Sequence, residues 1–144
     1  MKINSKTLRT VLGTFWFLAG VGKLLFLNKV AAMLSMFVKT CLLSFYADFI
    51  SSFVLANASI IVLLIAIAEV VAGIFILHSE IYAKLGLLLA TLLNIVFLPL
   101  GIPQVFINTL FIAAQLWLMK KELNESIIAG FLLRFKNLFK GVER

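Results

Sequence analysis

Glu69 is the only charged residue among the twenty-five positions from Phe53 to Leu77, a run long enough to cross a bilayer. A carboxylate near the centre of a membrane helix costs about 2.5–3.5 kcal/mol on insertion scales. Such a group must pair with a cation, take up a proton or face water. Because ion pathways, proton relays and ligand sites all use such groups, Glu69 is the first candidate for chemistry in this chain.

Three other polar residues are expected at similar depth. At 1.5 Å per residue, Glu69 lies roughly 12 Å, Asn94 roughly 15 Å, Asn108 roughly 18 Å and Lys23 roughly 21 Å from the same membrane surface. Our hypothesis is a buried cluster in which Lys23 pairs with Glu69 and the two asparagines satisfy the remaining lone pairs. Two alternatives stay open: Lys23 extends to the lipid head groups, and the asparagines join helices by ordinary hydrogen bonds.

The remaining residue types exclude several kinds of site. His78 is the only histidine and Cys41 the only cysteine. The chain therefore has no pair of histidines for a haem, no cysteine-rich metal site and no internal disulfide. Serine, histidine and acidic residues do not converge into a nucleophilic triad. We predict no catalytic residue, no metal ligand and no cofactor, although a quinone or a bound lipid is compatible with the apolar spans.

Composition indicates an integral membrane protein. The chain has 144 residues, of which 63% are hydrophobic, and its mean hydropathy is +1.15. Both values exceed those of soluble domains of this size. The formal charge of +7 does not indicate a nucleic-acid partner, because the cations lie between apolar runs instead of along one soluble face.

These runs predict an all-α fold, with a four-transmembrane-helix bundle over residues 1–121. Pro99, Gly101 and Pro103 interrupt a long uncharged stretch and separate its third span from its fourth. We expect the tip of that apolar turn in the interfacial region or against a partner. The predicted spans are about 8–27, 56–77, 85–98 and 102–119.

The distribution of cations predicts the orientation. Ten of the thirteen Lys and Arg residues fall on the side of the chain termini, and Lys23, Lys29 and Lys39 are the other three. Since cations accumulate on the cytoplasmic side, both termini are expected in the cytoplasm. Lys23 interrupts the first apolar stretch and no A-x-A cleavage site follows it, so we expect the first helix to stay uncleaved.

Two segments are predicted to lie along the membrane surface. Residues 29–52 have polar side chains about one helical turn apart, which indicates an interfacial helix on the outer side. Residues 122–144 predict a basic amphipathic helix, which would bind the cytoplasmic leaflet or a partner subunit. The residues expected at that contact are Phe131, Arg134, Phe135, Lys136, Phe139 and Lys140.

The order of several short motifs is similar to a known family. The first span contains Arg9-x-x-x-Gly13 and then Phe17-Leu18-Ala19-Gly20-x-Gly22-Lys23, and the second contains Ala68-Glu69-Val70-x-x-Gly73. With the turn between Asn94 and Gln104, this pattern resembles the DoxX-like superfamily of small four-helix integral membrane proteins. The resemblance implies that Arg9, Gly13, Gly20, Lys23, Glu69 and Gly73 define the fold, and it suggests a bacterial inner membrane.

The family resembled is functionally mixed, and three functions are compatible with the sequence. Its members include subunits linked to thiosulfate:quinone oxidoreduction, partners of membrane redox complexes and receptor-assembly chaperones. The scarcity of catalytic groups favours an accessory or assembly subunit of a larger membrane complex, such as a respiratory or redox complex. Alternatives are a quinone-binding redox subunit that uses Glu69 for proton transfer, and a small-solute transporter. The expected partners are the bilayer and other membrane subunits or further copies of the chain.

Overall fold

The computed structural model describes residues 4–123 and 126–140, without the side chains of residues 31 and 134–140. Within these ranges every regular element is helical. A π-helical turn over Ile50–Val54 follows the third helix, and a 3-10 turn over Leu98–Leu100 follows the fifth. The helices are α1 (Ser5–Leu25), α2 (Leu27–Thr40), α3 (Ser44–Phe49), α4 (Ala58–Leu77), α5 (Glu80–Phe97), α6 (Ile102–Met119) and α7 (Ile127–Lys140).

Four of these helices are long and apolar enough to cross a membrane, namely α1, α4, α5 with its 3-10 extension, and α6. This finding confirms the prediction of an all-helical chain with four potential spans. In the structure α1 packs against α4, α4 against α5, and α5 against α6. One end of this arrangement, here called the terminal end, carries the start of α1 and the end of α6. The opposite end, here called the α2 end, carries α2, α3 and the turn between α5 and α6.

The third potential span is longer than the sequence predicted. A start near residue 85 was expected because Lys84 is charged, but α5 begins at Glu80, and only His78 and Ser79 separate it from α4. Lys84 is exposed, so its charge does not prevent the helix from starting earlier. Glu80 turns the chain with a φ of +51°, and its N–H donates to the Leu123 carbonyl at 2.8 Å.

Glycines allow α1 and α4 to approach closely. A Cβ on Gly20 would lie 2.6 Å from the carbonyl oxygen of Ala66, and one on Gly73 would collide with the backbone of Phe17. Small residues at such positions let helices pack backbone to backbone, which favours association in a membrane. Gly22 makes no such contact, since a Cβ added there would have no neighbour within 4 Å.

The buried apolar core lies nearer the terminal end. There the aromatic ring of Trp16 packs edge-on against Phe111 at a centroid distance of 6.4 Å. Arg9 is also buried, and its Nη1 donates to the Leu123 carbonyl at 3.2 Å, so the segment after α6 is held against α1. The core residues are Leu12, Trp16, Ala72, Ile76, Ala83, Leu87, Ala90, Leu118 and Leu123.

At the α2 end, the segment predicted as one interfacial helix is divided into α2, α3 and the π-helical turn. The chain becomes extended at Cys41 because it docks there on the turn between α5 and α6. Leu42 N–H donates to the Pro99 carbonyl at 2.9 Å, and the Cys41 thiol contacts the same carbonyl at 3.1 Å. Thr40 donates to the Leu100 carbonyl at 2.8 Å. The apolar turn is therefore partly covered by this chain itself.

Helix α7 begins beside the start of α1, where Lys6, Ser126 and Phe131 line a shallow hollow. Leu132 and Leu133 are exposed. Of the six predicted contact residues on this helix, only Phe131 has a described side chain, and it too is largely exposed. The side chains of Arg134, Phe135, Lys136, Phe139 and Lys140 lie outside the description.

Candidate functional site

The candidate site contains an ion pair between α1 and α4. Lys23 Nζ donates to both carboxylate oxygens of Glu69, at 2.7 Å each. The Glu69 side chain is 2% exposed and that of Lys23 is 27% exposed. The structure thus joins the two residues that depth counting placed in one cluster, and the acidic partner is the more deeply buried of the two.

The close packing of α1 on α4 explains why these side chains meet. A Cβ on Gly20 would lie 2.8 Å from the backbone nitrogen of Val70, so these two residues are level with each other. Lys23 is about one turn beyond Gly20, and Glu69 directly precedes Val70. With no side chain at Gly20 to separate the helices, the lysine stem reaches the carboxylate across the contact.

Asn94 belongs to a different polar cluster. Its Nδ2 donates to Oε1 of Gln115 at 3.0 Å, and the Thr91 hydroxyl donates to the same oxygen at 3.0 Å. All three side chains are buried between α5 and α6. The expected hydrogen bond from Asn94 to Glu69 does not form, because Asn94 faces α6 instead of α4.

Beside the ion pair lies a cavity of about 390 Å³, within the 300–1,000 Å³ range common for small-molecule sites. It is an open cavity lined by α2, α4, α6, the ends of α1 and α5, and the 3-10 turn. Lys23, Gln104 and Asn108 provide its polar groups. Its apolar walls are formed by Val30, Met33, Leu34, Phe37, Val62, Ile65, Phe97 and Leu100.

Asn108 faces this cavity without a protein partner. The residue is only 8% exposed, yet its amide makes no hydrogen bond to any residue within 4–123 or 126–140, including Glu69. Because Asn108 lines the cavity, its amide can be reached from that side. The amide of Asn108 is therefore a group able to orient a ligand in this cavity.

The sequence prediction missed Gln104 at the cavity, and Gln115 and Thr91 in the separate cluster. Gln104 precedes Asn108 by four positions and Gln115 follows it by seven, so all three lie on one face of α6. That helical spacing in the sequence indicates a polar stripe along one face of α6. The sequence did not show that the stripe is divided, with Gln104 and Asn108 at the cavity and Gln115 in the cluster with Thr91 and Asn94.

The polar groups of the site can bind a ligand. Within the part of the chain that the structure describes, no group of three or more His, Cys, Asp or Glu residues could hold a metal ion. The ammonium and the carboxylate neutralise each other at the cavity wall. What faces the cavity is an apolar surface with hydrogen-bonding groups at the Lys23, Gln104 and Asn108 positions.

Comparison with protein-family models, curated protein sequences and solved structures gave no match for this chain. The DoxX-like resemblance therefore stays a prediction from the motifs in α1 and α4.

Proposed function

We propose that this chain is a DoxX-like integral membrane protein whose four-transmembrane-helix bundle binds a small apolar molecule of the bilayer, either a lipid or a quinone. In this proposal both termini are cytoplasmic, and α2 and α3 lie at the outer surface. The cavity beside the Lys23–Glu69 pair carries the proposal, since it combines mainly apolar walls with a few convergent polar groups.

The energetics of the ion pair support a role beyond packing. Replacing a buried ion pair by apolar residues of similar volume is often neutral or stabilising, so such a pair is weak evidence for stability. Ionisable residues within membrane spans generally mark ligand or ion sites. Lys23 and Glu69 form such a pair between two potential spans, and Lys23 also lines the cavity.

The test is to fill the cavity and measure what the protein carries. Ile65 lines the cavity from α4, whereas Ile67 on the same helix is exposed. The wild-type chain, Ile65→Trp and Ile67→Trp would be purified in mild detergent, and their extracted small molecules identified by mass spectrometry. We expect a defined lipid or quinone with the wild type and Ile67→Trp, and its loss from Ile65→Trp. Equal recovery from all three proteins would refute a ligand in this cavity.

A redox form of this function would use Glu69 as the proton acceptor for a quinone. In that step a bound quinol would be oxidised and Glu69 would accept one of its protons. No group of three or more His, Cys, Asp or Glu among the described residues could hold a metal ion, so the electrons would pass to a redox partner subunit. Glu69→Gln keeps the size of the side chain and removes its charge. Normal turnover of the parent pathway in this variant would exclude proton transfer by Glu69 while leaving ligand binding intact.

A second candidate function is that of an accessory or assembly subunit, and helix α7 favours it. Phe131, Leu132 and Leu133 are all exposed, and none of them belongs to the buried core. An exposed apolar stretch of this kind is typical of docking on a membrane surface or on another subunit. The test is the composition of the native assembly, purified through a tag, for the wild type and Leu132→Glu. A stoichiometric subunit lost in the variant would support this function, and an unchanged assembly would exclude α7 as its docking site.

A further inference from the structure

We infer that the ligand of this cavity is an uncharged amphiphile whose single polar end, a hydroxyl or carbonyl oxygen, binds between Lys23 and Asn108. This inference rests on the proposed function and defines the chemical class of its ligand. The charge of the cavity wall favours a neutral ligand. Lys23 places its ammonium 2.7 Å from both oxygens of Glu69, so the pair contributes no net charge to the cavity.

An anionic head group would leave one uncompensated charge in this environment. Burying an isolated charge in an apolar site costs far more than burying a neutral hydrogen-bonding group. A phosphate or a free carboxylate would need a second cation. Lys23 is the only charged side chain among the eleven residues that line the cavity. A neutral head group is therefore the one that this wall can accept.

Hydrogen bonding further defines the head group. An ammonium has three N–H donors, and the two carboxylate oxygens occupy two of those on Lys23. The third donor and the Nδ2 of Asn108 both require an acceptor, which a carbonyl or hydroxyl oxygen supplies. A hydroxyl can in addition donate to the Oδ1 of Asn108 or the Oε1 of Gln104. Within the described chain, neither amide forms a hydrogen bond with another residue.

The apolar body of the ligand is assigned to the side of the cavity formed by α2. Val30, Met33, Leu34 and Phe37 recur at helical spacing along its inner face. Met33 contributes a flexible, polarisable side chain that adapts to irregular shapes. These residues would hold an alkyl or isoprenoid chain, and the polar end would point toward α1 and α6.

The experiment measures affinity for four probes with the full chain in detergent micelles. Dioleoylglycerol presents a hydroxyl head group and decylubiquinone presents carbonyl oxygens. Phosphatidylglycerol has an anionic head group, and squalene has no polar group. We expect binding of dioleoylglycerol or decylubiquinone at least about tenfold tighter than that of the other two. Which of the two binds more tightly identifies the lipid or the quinone as the source of the oxygen. Equal or tighter binding of phosphatidylglycerol or squalene would overturn the inference.

Variants link this selectivity to Asn108. Asn108→Leu removes the amide at similar volume, and the exposed neighbour Thr109→Leu is the control. Asn108→Leu should weaken binding of the oxygen-bearing probe about tenfold and leave binding of squalene unchanged. Thr109→Leu should change the affinity for neither probe. Gln104→Leu is the second variant if Asn108→Leu does not fold, and it should act in the same direction. Unchanged selectivity in the folded variant would refute the assigned head-group position.

Ile65→Trp separates failure of this inference from failure of the proposed function. If the cavity binds ligands of another class, Ile65→Trp will still abolish binding while the selectivity among probes differs from that expected. If the cavity is not a binding site, Ile65→Trp will leave the binding of every probe unchanged, which overturns both proposals together.

Discussion

At the scale of single residues, the two members of the ion pair differ in how well each tolerates the loss of its partner. Glu69 is nearly fully buried, so its carboxylate depends on Lys23 for a counter-charge. Lys23 is partly exposed near the end of α1, and its long stem can carry the ammonium toward a polar surface. Loss of the lysine should therefore be more damaging than loss of the acid.

Charge reversal tests this pair. Lys23→Glu places two carboxylates together and Glu69→Lys two ammonium groups, and breaking a buried pair typically costs about 3–5 kcal/mol. We expect each single variant to lower the melting temperature in detergent, and the double variant to recover most of the loss. Lys29→Glu, at an exposed position on α2, serves as the control and should have little effect. A double variant no more stable than either single variant would show that the pair does not stabilise the fold.

At the scale of elements, the contact between α1 and α4 depends on residues without side chains. Gly73 lies against the backbone of Phe17, and Gly20 lies against that of Ala66. Since lipid tails are as apolar as leucine, helices in a bilayer associate through such close packing and not through hydrophobic burial. The same contact sets the height at which Lys23 meets Glu69.

Adding one methyl group tests the contact. Gly73→Ala should destabilise the protein by about 1–3 kcal/mol, because the new Cβ overlaps the backbone of α1, which cannot move without disturbing the ion pair. Gly22→Ala is the matched control on α1, where a Cβ meets open space. Thermal unfolding followed by circular dichroism measures both variants. A stable Gly73→Ala protein would show that the helices tolerate greater separation.

A second element-scale feature is the attachment of α3 to α5. The Tyr46 hydroxyl donates to the Val96 carbonyl at 2.7 Å. Burial, with a smaller contribution from the nearby Cys41, raises the pKa of the Tyr46 phenol. Because the folded-state pKa is the higher one, the stability from this group is complete below the unfolded value of about 10. It is lost as pH rises through the folded-state pKa.

Tyr46→Phe should loosen this attachment without unfolding the protein. Loss of one neutral hydrogen bond costs about 1 kcal/mol, so we expect about fivefold faster amide exchange in α3. Hydrogen–deuterium exchange followed by mass spectrometry would localise the effect. Tyr82→Phe, which removes an exposed hydroxyl from α5, should leave exchange in α3 unchanged. Equal exchange in all three proteins would show that other contacts hold α3 in place.

At the scale of the whole molecule, the two ends of the helix arrangement differ in charge. Lys84, Lys120 and Lys121 lie at the terminal end, whereas Lys29 and Lys39 lie on α2 at the other end. The positive-inside rule predicts that the terminal end faces the cytoplasm. In that orientation the cavity would open in the outer half of the membrane, beside α2.

Cysteine labelling in intact cells tests this orientation. Cys41 is the only native cysteine, so Cys41→Ser provides a background for single cysteines at Ser35 on α2 or at Glu122 after α6. Both positions are exposed. A membrane-impermeant maleimide should label Ser35→Cys directly and Glu122→Cys only after the membrane is permeabilised. The reverse pattern would invert the proposed topology.

Features that depend on local composition followed from the sequence alone. Apolar length, the break at Pro99 and Pro103, and the positions of the cations predicted four potential spans, and the fourth predicted span coincides with α6. The height of each residue along its helix axis could also be counted from the sequence, because each helical residue advances the chain by about 1.5 Å. That regularity is why Lys23 and Glu69 were expected together.

Features that depend on helix rotation and on contacts between distant segments required the tertiary structure. Height along an axis does not specify which neighbour a side chain faces, so Asn94 was expected at Glu69 but bonds to Gln115. The burial of Arg9 and the docking of Cys41 and Leu42 on Pro99 likewise join residues far apart in the chain. Such partners are chosen by how the helices pack against one another, and no local property of the sequence encodes that choice.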